Sequence, residues 1–212
     1  SGCYTVVVTE GSFAAEVGWS LQDQSGNEIA GGGPTTGQAI AWAGATGCTI
    51  PGCTDPSCNN YNPQANEDDG SCECPPANDD CDNAEAIGCG VTVVGTTINA
   101  NDDTAVASDC QGIAVTSPGV WYTFIGTGEQ VTLTTCNSGV DTKISVYAGA
   151  CGALACVAAN DDDANCTGFA STVIFTSQAA VQYFVLVSEF GAGQGIDFEM
   201  EMSCTTCANV PI

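Results

Sequence analysis

The sequence predicts an all-β protein: a jelly-roll-like β-sandwich and a small N-terminal β unit, joined by a disulfide-bracketed acidic loop. Three observations carry that prediction. Short apolar runs alternate with polar residues at the period of two that a half-buried strand requires. Turn-forming residues punctuate the chain, with 26 glycines among its 212 residues. No stretch sustains the 3.6-residue apolar period of a long amphipathic helix. The apolar content of 44% is ordinary for a packed domain and sets the chain apart from disordered acidic tails.

Residues 1–51 form the first unit. "CYTVVVT" (3–9) reads as a strand. "EVGWSLQD" (16–23) alternates, with Val17, Trp19 and Leu21 on one face. "QSGNEIAGGG" reads as a turn, and "QAIAWAG" (38–44) as a further strand. So few short strands need a staple or a partner, and a bridge between Cys3 and Cys48, which bracket the unit, is the obvious one. Residues 52–74 are rich in Cys, Asp and Asn and poor in apolar side chains, so they cannot fold by hydrocarbon burial alone.

Residues 75–207 read as the sandwich, followed by a tail at 208–212. Its expected strands are 91–98, 119–126, 130–136, 143–149, 171–177, 181–188 and 196–203. In the last, Ile196, Phe198, Met200 and Met202 face inward and Asp197, Glu199 and Glu201 outward, where charge would blunt an open sheet edge. "VQYFVLV" (181–187) is apolar on both faces, so Phe184 and Leu186 must be covered by another layer or another molecule.

Charge excludes several functions. Against 25 acidic residues stand one basic residue, Lys143, and no histidine, for a net charge of −24. Nucleic-acid binding needs cations to displace phosphate counterions, and anionic membrane surfaces need them too. Neither nucleic-acid binding nor membrane insertion is expected, since no run is long enough to span a bilayer. Lys143 itself is expected as a surface residue on a strand. Without His there is no Ser-His-Asp or Cys-His arrangement, and without Arg no clamp for phosphates. A catalytic role is not expected.

Fifteen cysteines, with spacings unlike paired zinc-binding CxxC motifs, point to disulfides in an oxidising, extracellular setting. The candidates are Cys3, Cys48, Cys53, Cys72, Cys81, Cys89, Cys136, Cys166, Cys151 and Cys156, with connectivity left open. The odd count leaves one cysteine to link to a neighbour.

Acidic clusters recur at Asn66–Asp69, Asn78–Asp82, Asn101–Asp103 and Asn160–Asp163, all in expected loops. Like charges packed so closely favour a cation, and Asp, Asn and carbonyl oxygens suit Ca²⁺. The frame is not an EF-hand. Asn165-Cys166-Thr167 is the one N-x-[ST] sequon, and Asn165 is a glycosylation candidate.

Two resemblances add to this reading. "GCTDPSCNNYNPQANEDDGSC" (52–72) resembles a short calcium-loop module, similar to thrombospondin type 3 repeats, of secreted and surface proteins of Bacteroidetes-type bacteria. The resemblance implies a Cys53–Cys72 bridge around a Ca²⁺ loop formed by Asp55, Asn60, Asn62, Asp68 and Asp69. Cys58 departs from the module's usual Ala, and its partner is either Cys74 or a cysteine of another subunit. "NDDCDNAEAI", "GVWYTF", "VDTKISVYAGACGALACVAANDDD" and "VQYFVLV" resemble the prepeptidase C-terminal-like domains, secreted β-sandwiches that accompany proteases and adhesins. That resemblance implies a jelly-roll-like fold with calcium near Asp79, Asp80, Asp141, Asp161 and Asp162, and Asn160 of the last acidic cluster is a further candidate ligand. Lys143 replaces an apolar residue usual at its position.

The expected function is an extracellular structural or adhesive surface component, calcium-stabilised and self-associating or joined to other surface proteins by β-strand addition. The alternatives are a calcium-dependent carbohydrate-binding module, with Trp42, Trp121 and Tyr147 as the candidate aromatics for a glycan, and the accessory domain of a secreted protease.

Overall fold

The computed structural model describes the backbone of four short N-terminal strands, residues 49–191, residue 193 and residues 195–205. Cys3, Cys48, Trp42, Cys207 and the tail lie outside the described residues.

In the N-terminal unit, β1 (Tyr4–Val8) pairs antiparallel with β4 (Gly37–Ala41), and β2 (Trp19–Gln22) with β3 (Glu28–Gly32). β3 corrects the reading of "QSGNEIAGGG" as a turn. Its Gly and Ala residues have weak strand preference, and ladder pairing to Trp19–Gln22 overrides that local signal. The module between the β-rich parts is divided: Asn62–Ser71 group with the N-terminal unit, and Asp55–Tyr61 with the residues from Cys72 onward.

The second unit is a two-sheet sandwich built from β5 (Glu85–Ala86), β6 (Val91–Thr96), β7 (Gly119–Ile125), β8 (Gln130–Thr134), β9 (Thr142–Ala150), β10 (Ala153–Asn160), β11 (Thr172–Thr176), β12 (Gln182–Glu189) and β13 (Asp197–Thr205). One sheet has the order β10-β9-β12-β7-β5 and the other β11-β8-β13-β6. The chain crosses between them repeatedly, as a jelly-roll-like sandwich requires. Two strands were not anticipated. β10 is rich in Ala, which carries little strand signal, and β5 is only two residues long.

The period of two explains the core. Val120, Tyr122 and Phe124 of β7, Ile144 and Val146 of β9, and Tyr183, Val185 and Val187 of β12 meet Val131, Leu133, Val173, Phe198, Met200 and Met202 of the facing sheet. β13 lies between β8 and β6, so its outward charges do not guard an edge. They stand on the solvent face of an interior strand, which corrects that part of the reading.

The other face of the five-stranded sheet carries a second cluster. Trp121, Tyr147, Phe184 and Leu186 pack with Cys81, Ala107, Cys110 and Val115. Phe184 and Leu186 are therefore covered by the chain's own loops, and no second molecule is needed to explain them. Each such side chain, taken out of water, contributes about 2 kcal/mol.

Polar tips on that face hold the covering loop. Trp121 Nε1 donates to Asp103 Oδ1 at 2.7 Å, Tyr147 Oη to the Ser108 carbonyl at 2.7 Å, and Lys143 Nζ to the Ala114 carbonyl at 3.0 Å and Thr116 Oγ1 at 2.8 Å. Long amphipathic side chains do this well, burying a stem and bonding with the head. Lys143 is 4% exposed, so the chain's one cation is a buried clamp and not a surface lysine. Trp121 and Tyr147 are fully buried, which removes both from the set of glycan-stacking candidates.

Cross-links complete the unit: Cys58–Cys74, Cys81–Cys151, Cys89–Cys204, Cys110–Cys156 and Cys136–Cys166. Cys58 thus takes the intrachain partner Cys74. Cys53 and Cys72 are each disulfide-bonded as well, so none of the described cysteines is a free thiol. Cys110 and Cys204, which are not among the candidates, complete the bridges of Cys156 and Cys89.

Candidate metal centre

β9 and β10 form a hairpin in which Ile144 lies opposite Asn160. Asp141, just before β9, and Asp161 and Asp162, just after β10, are therefore brought to one end of the sheet. One carboxylate oxygen from each lies within 4.8 Å of the others. Backbone ties fix the site. Ser171 Oγ lies within hydrogen-bond reach of the carbonyls of Thr142, Asn160 and Asp161, so its one O–H donates to a carbonyl where both strand ends meet. Phe190 N–H donates to the Asp141 carbonyl at 3.4 Å.

Two oxygens in this group, Asp141 Oδ1 and Asp161 Oδ1, are buried and have no hydrogen-bond partner. A buried acceptor left unpaired costs about 1–3 kcal/mol, and more when charged. Burial, with Asp162 next in importance, raises the pKa of both carboxyls, while Lys143 opposes the shift. Burial pulls the Lys143 ammonium down, and Asp161, Asp141, Glu189 and Asp109 oppose that. Lys143 spends its hydrogen bonds on the covering loop, so it neutralises the trio only from a distance.

The trio fits a hard cation. Three carboxylates supply oxygen ligands, and the two orphaned oxygens are the atoms a cation would satisfy. Among the described residues, the other metal-competent acidic groups all include disulfide-bonded cysteines, whose sulfurs are not thiolate ligands.

The remaining expected ligands are placed elsewhere. Asn160 Oδ1 accepts from Thr172 N–H at 3.0 Å and its Nδ2 donates to the Asp162 carbonyl at 3.1 Å, so it braces the site. Asp79 accepts from Asn101 N–H at 2.7 Å and from its Nδ2 at 2.6 Å. Asp80 stands exposed before the short 3₁₀ helix Cys81–Asn83. Neither Asp79 nor Asp80 belongs to the trio.

In the module, one oxygen of each expected ligand caps backbone. Asp55 accepts from Ser57, Asn62 from Gln64, Asp68 from Gly70 and Asp69 from Ser71, while Asn60 accepts from Glu73 N–H. All but the last are Asx turns, the ordinary reason such residues populate loops. Asn165 is exposed, and its Nδ2 donates to Asp163 Oδ1 at 2.9 Å.

Asp103 is the buried acid that sequence reasoning placed in a cluster without giving it a role. It accepts from Trp121 Nε1 and, at 2.9 Å, from Gly119 N–H. Its carboxyl is pushed up to about 6, chiefly by burial, with Asp79 and Asp102 adding to the rise and the two hydrogen bonds opposing it.

Comparison with family models, with curated proteins and with solved structures finds no match to this chain. Among the described residues, no helix is long and apolar enough to cross a membrane.

Proposed function

We propose that the protein is an extracellular structural or adhesive component, a durable β subunit stabilised by disulfides and by Ca²⁺ at Asp141, Asp161 and Asp162. The observation that carries the reading is the bracing of the sandwich. Cys81–Cys151 and Cys110–Cys156 tie the outer loop layer to the β9–β10 hairpin, Cys89–Cys204 ties the β6 entry to β13, and Cys136–Cys166 ties the end of β8 to the loop before β11. Bridges that close long loops restrict the unfolded chain and suppress the local opening on which proteases act. Such bonds persist in oxidising compartments, outside the cytosol.

A calcium ion would supply positive charge to the carboxylate trio and lock the two ends of the β9–β10 hairpin together. The residues around it would keep that geometry: Ser171 by its carbonyl contacts, Asn160 by its bonds to Thr172 and Asp162. The motif resemblance of the sandwich to secreted domains that accompany proteases and adhesins agrees with the extracellular setting of this reading.

The test is sedimentation of native protein in calcium and then in excess chelator, with pellets viewed by electron microscopy. Regular filaments or rods lost on chelation are the expected result. A slow monomer under both conditions rejects the assembly role.

A further inference from the structure

Sheet edges are where β proteins either join or avoid one another, because an edge strand presents unpaired N–H and C=O groups. Three of the four sandwich edges carry a feature that hinders pairing. β10 is bulged between Cys156 and Ala158, and the Gln111 side chain lies along it, donating to the Val157 carbonyl at 3.1 Å and accepting from Ala159 N–H at 3.4 Å. β5 is two residues long. β11 packs beside β10, and its first N–H, that of Thr172, is taken by Asn160.

β6 has none of these devices. Its sequence, VTVVGT, carries no charge and no proline in a chain of net charge −24. It pairs with β13 without a bulge, and it ends its sheet. Val94, at its centre, is 81% exposed, the most of any large apolar side chain among the described residues, with Val91 and Ile98 also exposed nearby.

We infer that the β6 edge pairs with the β6 edge of a second copy, antiparallel about a two-fold axis at Val94, to form one continuous eight-stranded sheet. This rests on the assembly reading above and names its contact. The strand is self-complementary. Val94 meets its own counterpart, Thr92 the counterpart of Thr96, and Val93 the counterpart of Gly95. Opposed residues stay on the same face, as an antiparallel register demands. Gly95 is required here because a Cβ would run into the Phe198 ring and the Tyr122 hydroxyl. The counterpart of Val93 lies opposite Gly95 and so meets no Cβ across the joined strands.

Charge permits this pairing despite the acidity of the chain. The nearest acidic ladder, Asp197, Glu199 and Glu201, stands on β13, one strand in from the edge. Across the joined edges Glu199 and its counterpart are three strand spacings apart, about 14 Å. That exceeds the ~8 Å screening length of physiological salt. Thr–Thr pairs directly opposed across strands stabilise such a ladder, and the opposed Val94 side chains remove apolar surface from water.

The experiment is sedimentation velocity of the full chain over a wide concentration range, in calcium and in chelator, for wild type, Val94→Lys and Ile174→Lys. Ile174 is a comparably exposed edge residue on β11. Wild type and Ile174→Lys should form dimers, and Val94→Lys should weaken the dimer at least about tenfold, since it places a charge in the contact. Near-UV circular dichroism checks folding. Should Val94→Lys fail it, Val94→Glu takes its place, since it also sets like charges directly opposite one another at the axis, and amide exchange at Val91–Thr96 of wild type should slow as concentration rises. A wild type that stays monomeric, or a folded Val94 variant that dimerises as well as wild type, overturns the inference. Filaments without this dimer reject the β6 contact alone; the dimer without filaments rejects the filament reading alone.

Discussion

Asp103 should contribute more to stability in mild acid than at neutral pH. Its carboxyl is 4% exposed and lies under the loop that covers the five-stranded sheet, where Trp121 Nε1 and Gly119 N–H donate to it. Burial raises its pKa from 3.8 to about 6. A carboxyl whose folded pKa lies above its unfolded value binds protons more tightly in the native state. Its contribution is therefore fully present below the unfolded pKa and is lost as pH rises through about 6. The shift corresponds to about 3 kcal/mol, of which about 2 remains once solvent screening is allowed for. The perturbation is Asp103→Asn, which removes the titration while its Oδ1 still accepts from Trp121. Urea unfolding of both proteins at pH 4 and pH 7.5, in chelator, gives the double difference, in which titrations common to both cancel. Wild type should lose about 2 kcal/mol relative to the variant on going to the higher pH. A gap between the two proteins that does not change with pH, or that changes in the other direction, refutes the argument.

Other outcomes follow from the same geometry. Asp161→Asn should raise thermal stability in chelator, by relieving repulsion from Asp141 and Asp162, and should abolish the increase that calcium gives wild type, which is about 3 kcal/mol at a hundredfold excess over Kd; calorimetric scans with and without calcium check both signs. Replacing Cys110 and Cys156 together by Ala should cost about 2–4 kcal/mol and shift Trp121 emission to the red, as the loop above it loosens. Lys143→Met should cost about 1–3 kcal/mol in urea unfolding, because it strips the Ala114 carbonyl and Thr116 hydroxyl of their donor. Lys143 is also the one trypsin site, buried in β9, so native protein should resist trypsin until it is reduced and unfolded, as gel electrophoresis would show.

Composition and periodicity by themselves determined the all-β class, the alternating strands from β6 to β9 and from β11 to β13, and the dense cross-linking. These are local properties: a period of two selects a strand, and Gly, Asn and Asp select turns wherever they fall. The hairpin register that places Asp161 beside Asp141 was legible only through the resemblance, which grouped Asp79 and Asp80 with them. The structure instead gives Asp79 to Asn101. Several features could not be read locally. β10 is Ala-rich and acquires its strand character from β9. Lys143 looks like a surface cation until a loop folds over it. The two apolar faces of β12 ask for two layers, and nothing in "VQYFVLV" says whether the second comes from the same chain. The partners of Cys81, Cys89 and Cys156 lie 70, 115 and 46 residues away. Pairing at such separations depends on which sheet each strand joins, and that is decided by burial across the whole sandwich. The same holds for the edges: β6 is open because β13 took its other side and, among the described residues, no further strand joins the sheet beyond it.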